Sequence, residues 1–273
     1  MTLIIHPDLP QGSDEWHDQR RGLVTASVVG QLLSTRRLTG IDYGCPACEV
    51  PAHEACRGKS GGAIKTLHPE RTEFARQQPA SESTIVEPAS NPDSRNLTML
   101  LTAERITGWT EHTFISDDMW RGLDDEPIAR DAYSALHAPV VETGFMVEDR
   151  WGYRIGYSPD GLVGDDGLIE IKSRRPKAHL ATILKDEVPG ENMAQLQCGL
   201  LVSGRRWIDY ISWCGGMPMW VKRVEPLQEW RDAIVAAVSG FEVAAAAMVD
   251  VYRAAVDGLP MTERTNRDVE LKL

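Results

Sequence analysis

Positive charge is scarce in this sequence. Its 273 residues carry 29 lysines and arginines against 40 aspartates and glutamates, a formal charge of −11, which excludes indiscriminate attraction to polyanions but leaves room for a local basic lining. No apolar run is expected to reach the roughly 20 residues that cross a bilayer. The opening MTLIIHPDLPQGSDEW has neither a basic n-region nor a small-residue cleavage site, so no secretory signal is read and the expected location is the cytoplasm. Cysteine is rare, five in all, which argues against a disulfide framework there. Three of the five nevertheless crowd into Cys45–Cys56. The remainder is an ordinary soluble composition, long enough for one sizeable core with a small appended module.

The most informative stretch is GYSPDGLVGDDGLIEIKSRRP, Gly156 to Pro176. Gly164-Asp165-Asp166-Gly167 supplies turn chemistry between two β-runs, so the spacing predicts a hairpin. On its second strand Ile169 and Ile171 point to one face, while Leu168, Glu170 and Lys172 share the other. Asp160 stands just ahead of the turn on the partner strand, where cross-strand pairing brings it near Glu170. Two carboxylates and a lysine then meet in one small volume. Carboxylate oxygens suit a hard divalent cation such as magnesium, and a lysine beside the ion orients or deprotonates a water. Pro159-Asp160-Gly161 is also ordinary turn vocabulary, and a Glu/Lys pair two apart is often a solvated face. Spacing alone does not decide.

Elsewhere, Gln11–Ser34 reads as two short helices, the first capped by Ser13 and the second by Thr25 or Ser27, with Gly22 breaking between them. In CPACEVPAHEACRGKSGGAIKTLHPER, Cys45 and Cys48 have the spacing that puts two thiolates on adjacent corners of a tetrahedron, Cys56 supplies a third, and His53 or His68 the fourth. Four protein ligands leave no open position, so a zinc ion here would be structural. Residues 77–94, rich in proline and serine, read as a linker or mobile loop. Helices are predicted at Leu97–Thr107, at Met119–His137 with Pro127 near its first turn, and at Asn192–Val202 with Gly204 as its stop. Val140–Met146 starts a sheet that continues through Tyr153–Val163, and Arg206–Trp213 and Met219–Val224 alternate as two antiparallel strands. Pro226–Gly258 carries a helical apolar stripe, interrupted at Gly240, and a frayed tail of residues 259–273 follows.

The order Ser-Pro-Asp-Gly, eight residues, Glu-x-Lys resembles the PD-(D/E)xK nuclease signature, in the wording of the phage lambda exonuclease and YqaJ-like viral recombinase family. That resemblance implies an α/β, restriction-endonuclease-like sandwich, a mixed sheet flanked by helices, in which the zinc-binding run is an insertion that the lambda-type family lacks. Its parts would be 1–40 as the first part of the nuclease core, 41–76 as the insertion, 77–94 as the linker, and 95–258 as the rest of the core. QGSDEWHDQRRGLVTAS resembles the family's opening motif, whose arginine and serine, here Arg20 and Ser27, hold a terminal 5′ phosphate; Ser158 joins them. Arg174 and Arg175 flank the acidic hairpin, where DNA would approach, and are read as further phosphate contacts. The Gly-x-x-x-Glu spacing assigns a third acid to Glu126, although Asp124 and Asp125 are equally eligible on their own terms, and a Met-Ala-Gln-x-Gln context assigns Gln195. Asp160, Glu170, Glu126 and the Ile171 carbonyl would then hold magnesium, or manganese in its place, with Lys172 on the water. The cysteine run resembles a small zinc-binding element of actinobacterial and phage proteins with a distal His-x-x-Arg, which favours Cys45, Cys48, Cys56 and His68. The implied activity is hydrolysis of DNA from duplex ends, 5′ to 3′, by a ring-shaped trimer that passes a 3′ strand to a single-strand annealing protein. Alternatives are an endonuclease or flap nuclease of the same fold, or a DNA-binding module without catalysis.

Overall fold

Residues 3–78, 84–111 and 116–264 are described by a computed structural model. The chain runs through β1 (Leu3–His6), α1 (Asp14–Arg20), β2 (Val24–Thr25), β3 (Leu33–Arg37), α2 (Pro69–Arg76), β4 (Thr84–Pro88), α3 (Pro92–Thr107) and α4 (Asp117–Leu136). It continues with β5 (Phe145–Glu148), β6 (Ile155–Tyr157), β7 (Gly161–Val163), β8 (Gly167–Ser173), α5 (Pro176–Lys185), α6 (Gly190–Ser203), β9 (Trp207–Trp213), β10 (Trp220–Val224) and α7 (Gln228–Ala255). One sheet has the order β1-β5-β6-β2, a second β10-β9-β8-β7, and β3 pairs with β4. Both four-stranded sheets are mixed, and helices flank them.

The expected hairpin is β7–β8, antiparallel with Gly161 opposite Ile169 and Val163 opposite Gly167. Gly167 has a packing reason to be glycine, because a Cβ there would lie 2.2 Å from the Trp207 ring. On its other edge β8 runs parallel to β9, reached through α5 and α6. A strand with a parallel neighbour and helices on both faces is buried throughout, and residues 167–171 are all buried. Leu168 joins the main core with Leu196 of α6 and Ile234 of α7. Ile169 and Ile171 face Ala129 and Tyr133 of α4. The alternation is as predicted, but the face bearing Glu170 is covered as well.

Several sequence expectations are corrected. The second helix expected before Ser34 is absent: Val24 and Thr25, both β-branched, pair in parallel with Ile155 and Gly156 instead, and Val29–Leu32 forms one 3-10 turn. The stretch read as a linker contains β4, which pairs with β3 and buries Val86; residues 79–83 lie outside the described part. The sheet expected to run on from Val140 through Val163 divides, with β5 and β6 in one sheet and β7 in the other. Pro127 lies in the interior of α4, because Ser116 caps that helix and its first turn holds Asp117 and Asp118. α7 is unbroken at Gly240 and, against expectation, is long and apolar enough to cross a membrane. Its Trp230, Ile234, Val238, Phe241 and Ala245 are buried in the protein core, while Val243 and Val251 on the same helix are exposed. Most of the tail lies outside the described residues.

Candidate active site and metal cluster

Asp160 and Glu170 meet across the hairpin as the register predicts. The Ile171 N–H donates to Asp160 Oδ2 at 2.6 Å. In a strand the N–H and C=O of one residue point to the same edge, so the Ile171 carbonyl also faces the Asp160 side. Glu170, almost fully buried, accepts at Oε1 from Lys172 Nζ at 2.7 Å and from Gln195 Nε2 at 2.5 Å. Lys172 also donates to Gln195 Oε1 at 3.0 Å, so α6 supplies the amide that links acid and base. Glu126 approaches from α4, where Arg130 donates to its carboxylate and, through Nε, to the Asp160 carbonyl at 2.8 Å. The carboxylates are thus held by Lys172, Arg130 and a backbone amide.

Charge is unbalanced at this point. Burial, then Glu170 and Glu126, push the Asp160 carboxyl well above the usual range. Burial also raises Glu126, against the pull of Arg130. Lys172 is buried too, which opposes its charge, but Glu170 and Asp160 outweigh burial and raise it. Three carboxylates against Lys172 and Arg130, with a carbonyl on the open edge, form an oxygen-rich donor set suited to a hard divalent cation. The donor chemistry therefore fits magnesium or manganese.

Beside the acids lies a second cluster. Arg20 Nη2 donates to Ser27 Oγ at 3.0 Å and to Thr25 Oγ1 at 3.3 Å, and Nη1 reaches Ser158 Oγ at 3.5 Å. Its guanidinium lies over the Trp16 ring at 3.9 Å, and Trp16 Nε1 donates to Ser158 at 3.0 Å. Arg20, Ser27 and Ser158 are therefore brought together. Burial lowers Arg20 to about 10, with Glu104 opposing. Among the described residues no carboxylate pairs with it, so the site is a half-buried cation flanked by hydroxyls. Arg174 and Arg175 differ. Arg174 is bound to Tyr210, Asn192 and Glu191, and Arg175 to Asp118.

The cysteine run closes around a third cluster. Ligand atoms of Cys45, Cys48, Cys56 and His68 all lie within 4.8 Å of one another, with Cys45 Sγ 3.4 Å from His68 Nδ1. Donors about 2.0–2.3 Å from a tetrahedral ion stand about 3.3–3.8 Å apart, so Cys₃His fits zinc. The Arg57 N–H draws Cys48 down to about 6, which favours the ligating thiolate. His53 is outside the cluster, exposed at left-handed φ 66°, its Nδ1 3.7 Å from Asp42. Beneath the cluster Arg71, fully buried, donates to the carbonyls of Gly40, Ile41, Tyr43, Pro51 and Glu54 and to Cys56 Sγ. Arg71→Lys is expected to cost about 3 kcal/mol or more, because each stranded buried carbonyl costs about 1–3 kcal/mol. Faster loss of zinc to a chromophoric chelator and a lower melting temperature would check this.

Residues 80–206 match the profile of the YqaJ-like viral recombinase domain. Residues 10–87 match a second profile, described as "Putative DNA-binding phage zinc finger domain". No curated protein matches the chain. Among solved structures, an alkaline exonuclease from Laribacter hongkongensis is 24% identical with a TM-score of 0.65, over 91% of this chain and 100% of that one. Its complex with dAMP gives 25% identity and a TM-score of 0.63 over the same shares. A phage-related exonuclease from Haemophilus somnus, 10% identical, superposes with a TM-score of 0.51 over 84% of this chain and 96% of its own.

The site also draws in residues that the sequence alone did not single out. Arg130 sits one helical turn after Glu126, a spacing that could have marked it. Tyr157, buried beside the acids, donates to Glu170 Oε2 at 3.5 Å. Arg121 donates to Ser173 Oγ at 2.9 Å, and Ser173 in turn donates to Asp125 at 2.6 Å, so Asp125 serves α4 packing beside β8. Trp16 and Thr25 complete the Arg20 cluster; their positions inside the opening motif were the available signal.

Proposed function

We propose that the chain is a phage-type DNA exonuclease that hydrolyses phosphodiester bonds from duplex ends in a metal-dependent reaction. The observation that carries this reading is the convergence of Asp160, Glu170 and Lys172 of the hairpin with Gln195 of α6, Asp160 standing two residues after Ser158 of the Arg20 cluster. The YqaJ-like profile and the likeness to exonuclease structures support it. A divalent cation held by Asp160, Glu170, Glu126 and the Ile171 carbonyl would polarise the scissile phosphate and stabilise the leaving oxygen. Lys172, fixed between Glu170 and Gln195, orients the attacking water, and Gln195 holds that lysine without competing for cations. Arg20, Ser27 and Ser158 take a terminal 5′ phosphate, which a guanidinium and hydroxyls suit, and this polarity makes the digestion 5′ to 3′. Arg174 and Arg175 meet the backbone further along, at the cost of exchanging their protein partners.

Zinc in the Cys₃His cluster is structural and holds a module that supplies DNA contacts. Assembly as a ring trimer would keep basic residues inward beneath an acidic exterior, with an annealing protein receiving the 3′ strand.

Digestion of linear duplex with and without a 5′ phosphate, alongside closed circles, tests the reading. Phosphorylated ends are expected to be degraded faster and circles spared. Equal attack on circles would favour an endonuclease of the same fold, and no magnesium-dependent digestion at all would favour a non-catalytic binding module.

A further inference from the structure

We infer that Glu104 and Arg105 of α3, braced by Glu242 of α7, are positioning residues for the end-phosphate cluster. The inference rests on the reading of Arg20 and Ser27 as phosphate ligands. Arg20 closes α1, Thr25 and Ser27 lie at and beyond β2, and the chain passes between them through Gly22. Both backbone groups of Gly22 are taken by α3: its N–H donates to Glu104 Oε2 at 2.7 Å, and its carbonyl accepts from Arg105 Nε at 2.7 Å. The fit leaves no room for a side chain. Gly22 has φ +65°, and a Cβ there would lie 2.5 Å from Arg105 Cγ and 3.2 Å from the Leu101 carbonyl.

Arg105 is itself fixed. Its two terminal nitrogens each meet a Glu242 oxygen at 2.7 Å, and its guanidinium lies 4.9 Å from the Phe241 ring centre. Glu104 is buried, and its charge acts on Arg20 to favour the cationic form. Docking of α3 does not need these groups, since Leu97 and Leu101 already join the main core. What the charged relay adds is a fixed turn. A guanidinium and two hydroxyls recognise a phosphate only when their relative geometry is held, and Gly22 is the pivot between them.

The test uses the full zinc-loaded chain, with fluorescence anisotropy of duplexes carrying a 5′ phosphate or a 5′ hydroxyl, without added magnesium so that nothing is cut. Wild type is expected to prefer the phosphorylated end. Arg105→Met and Glu104→Gln should lower that preference about tenfold, the worth of one charge-assisted hydrogen bond, with little change for hydroxyl ends. Arg105→Lys should not restore it, because an ammonium cannot reach Gly22 and both Glu242 oxygens in one fork. Glu242→Gln, at a partly exposed position, gives a milder loss and keeps the test open where the α3 variants fail to fold. Variants that keep the wild-type preference, or weaken both ends equally, would overturn the role of the relay alone. A wild-type protein that binds both ends equally would overturn the phosphate cluster and the relay with it.

Discussion

Asp160→Asn is expected to abolish DNA cleavage and, without added divalent metal, to melt at a higher temperature than the wild type. Asp160 is pushed well above the usual carboxylate range by burial and by Glu170 and Glu126. An acid raised on folding binds its proton more tightly in the folded state, so stability falls as pH rises from the unfolded value near 3.8 toward the folded one. The ionised form of Asp160 is therefore a liability of the metal-free fold. Asparagine keeps an oxygen for the Ile171 N–H and removes the repulsion. A gain of about 1 kcal/mol corresponds to about 2–4 °C in a domain of this size. Melting curves in chelator-free buffer, which spares the cysteine cluster, are the measurement. Magnesium should raise the wild type more than the variant, and a variant that melts lower at neutral pH without metal would refute the account of the site as starved of cations.

Lys172→Ala is the complementary case. Cleavage is expected to fall by about 10²–10⁴, the usual worth of a positioned proton-transfer group, while the protein still folds. Glu170 loses the donor at 2.7 Å but keeps Gln195 at 2.5 Å, so the melting temperature drops rather than the fold collapsing. Magnesium should still stabilise this variant, because the acids remain. That separates a lysine serving the water from one serving the metal: a variant that cleaves normally with its acids intact would remove Lys172 from the reaction. Opposite shifts in melting temperature for Asp160→Asn and Lys172→Ala would be hard to obtain from generic damage at the hairpin.

The sequence made the hairpin legible because turn chemistry and alternation are local. The register of Asp160 against Glu170 followed from them. The Ser13 cap, the Gly204 stop, the β9–β10 pair and the three cysteines of the metal cluster were legible for the same reason, whereas spacing left His53 and His68 both open as its fourth member and only the resemblance favoured His68. What escaped is non-local. Val24 and Thr25 become a strand only because Ile155 and Gly156 offer a parallel edge, and no window around Gly22 contains that partner. Pro127 reads as lying near a helix's first turn, yet Ser116 caps the helix about three turns before it. Arg130 and Tyr157 look like ordinary residues until the fold sets them beside carboxylates, and the His-x-x-Arg that marks Arg71 does not reveal the carbonyls it holds.

Ser158, which touches Trp16 and Arg20, and Asp160, which sits with the other acids, are separated by Pro159 alone. Two residues of chain reach at most about 7 Å. On the proposed reading this short tether acts as a ruler, since the grip on a strand's end and the place of scission cannot drift apart. The size of each fragment set free is then a property of the backbone and not of the base sequence being consumed.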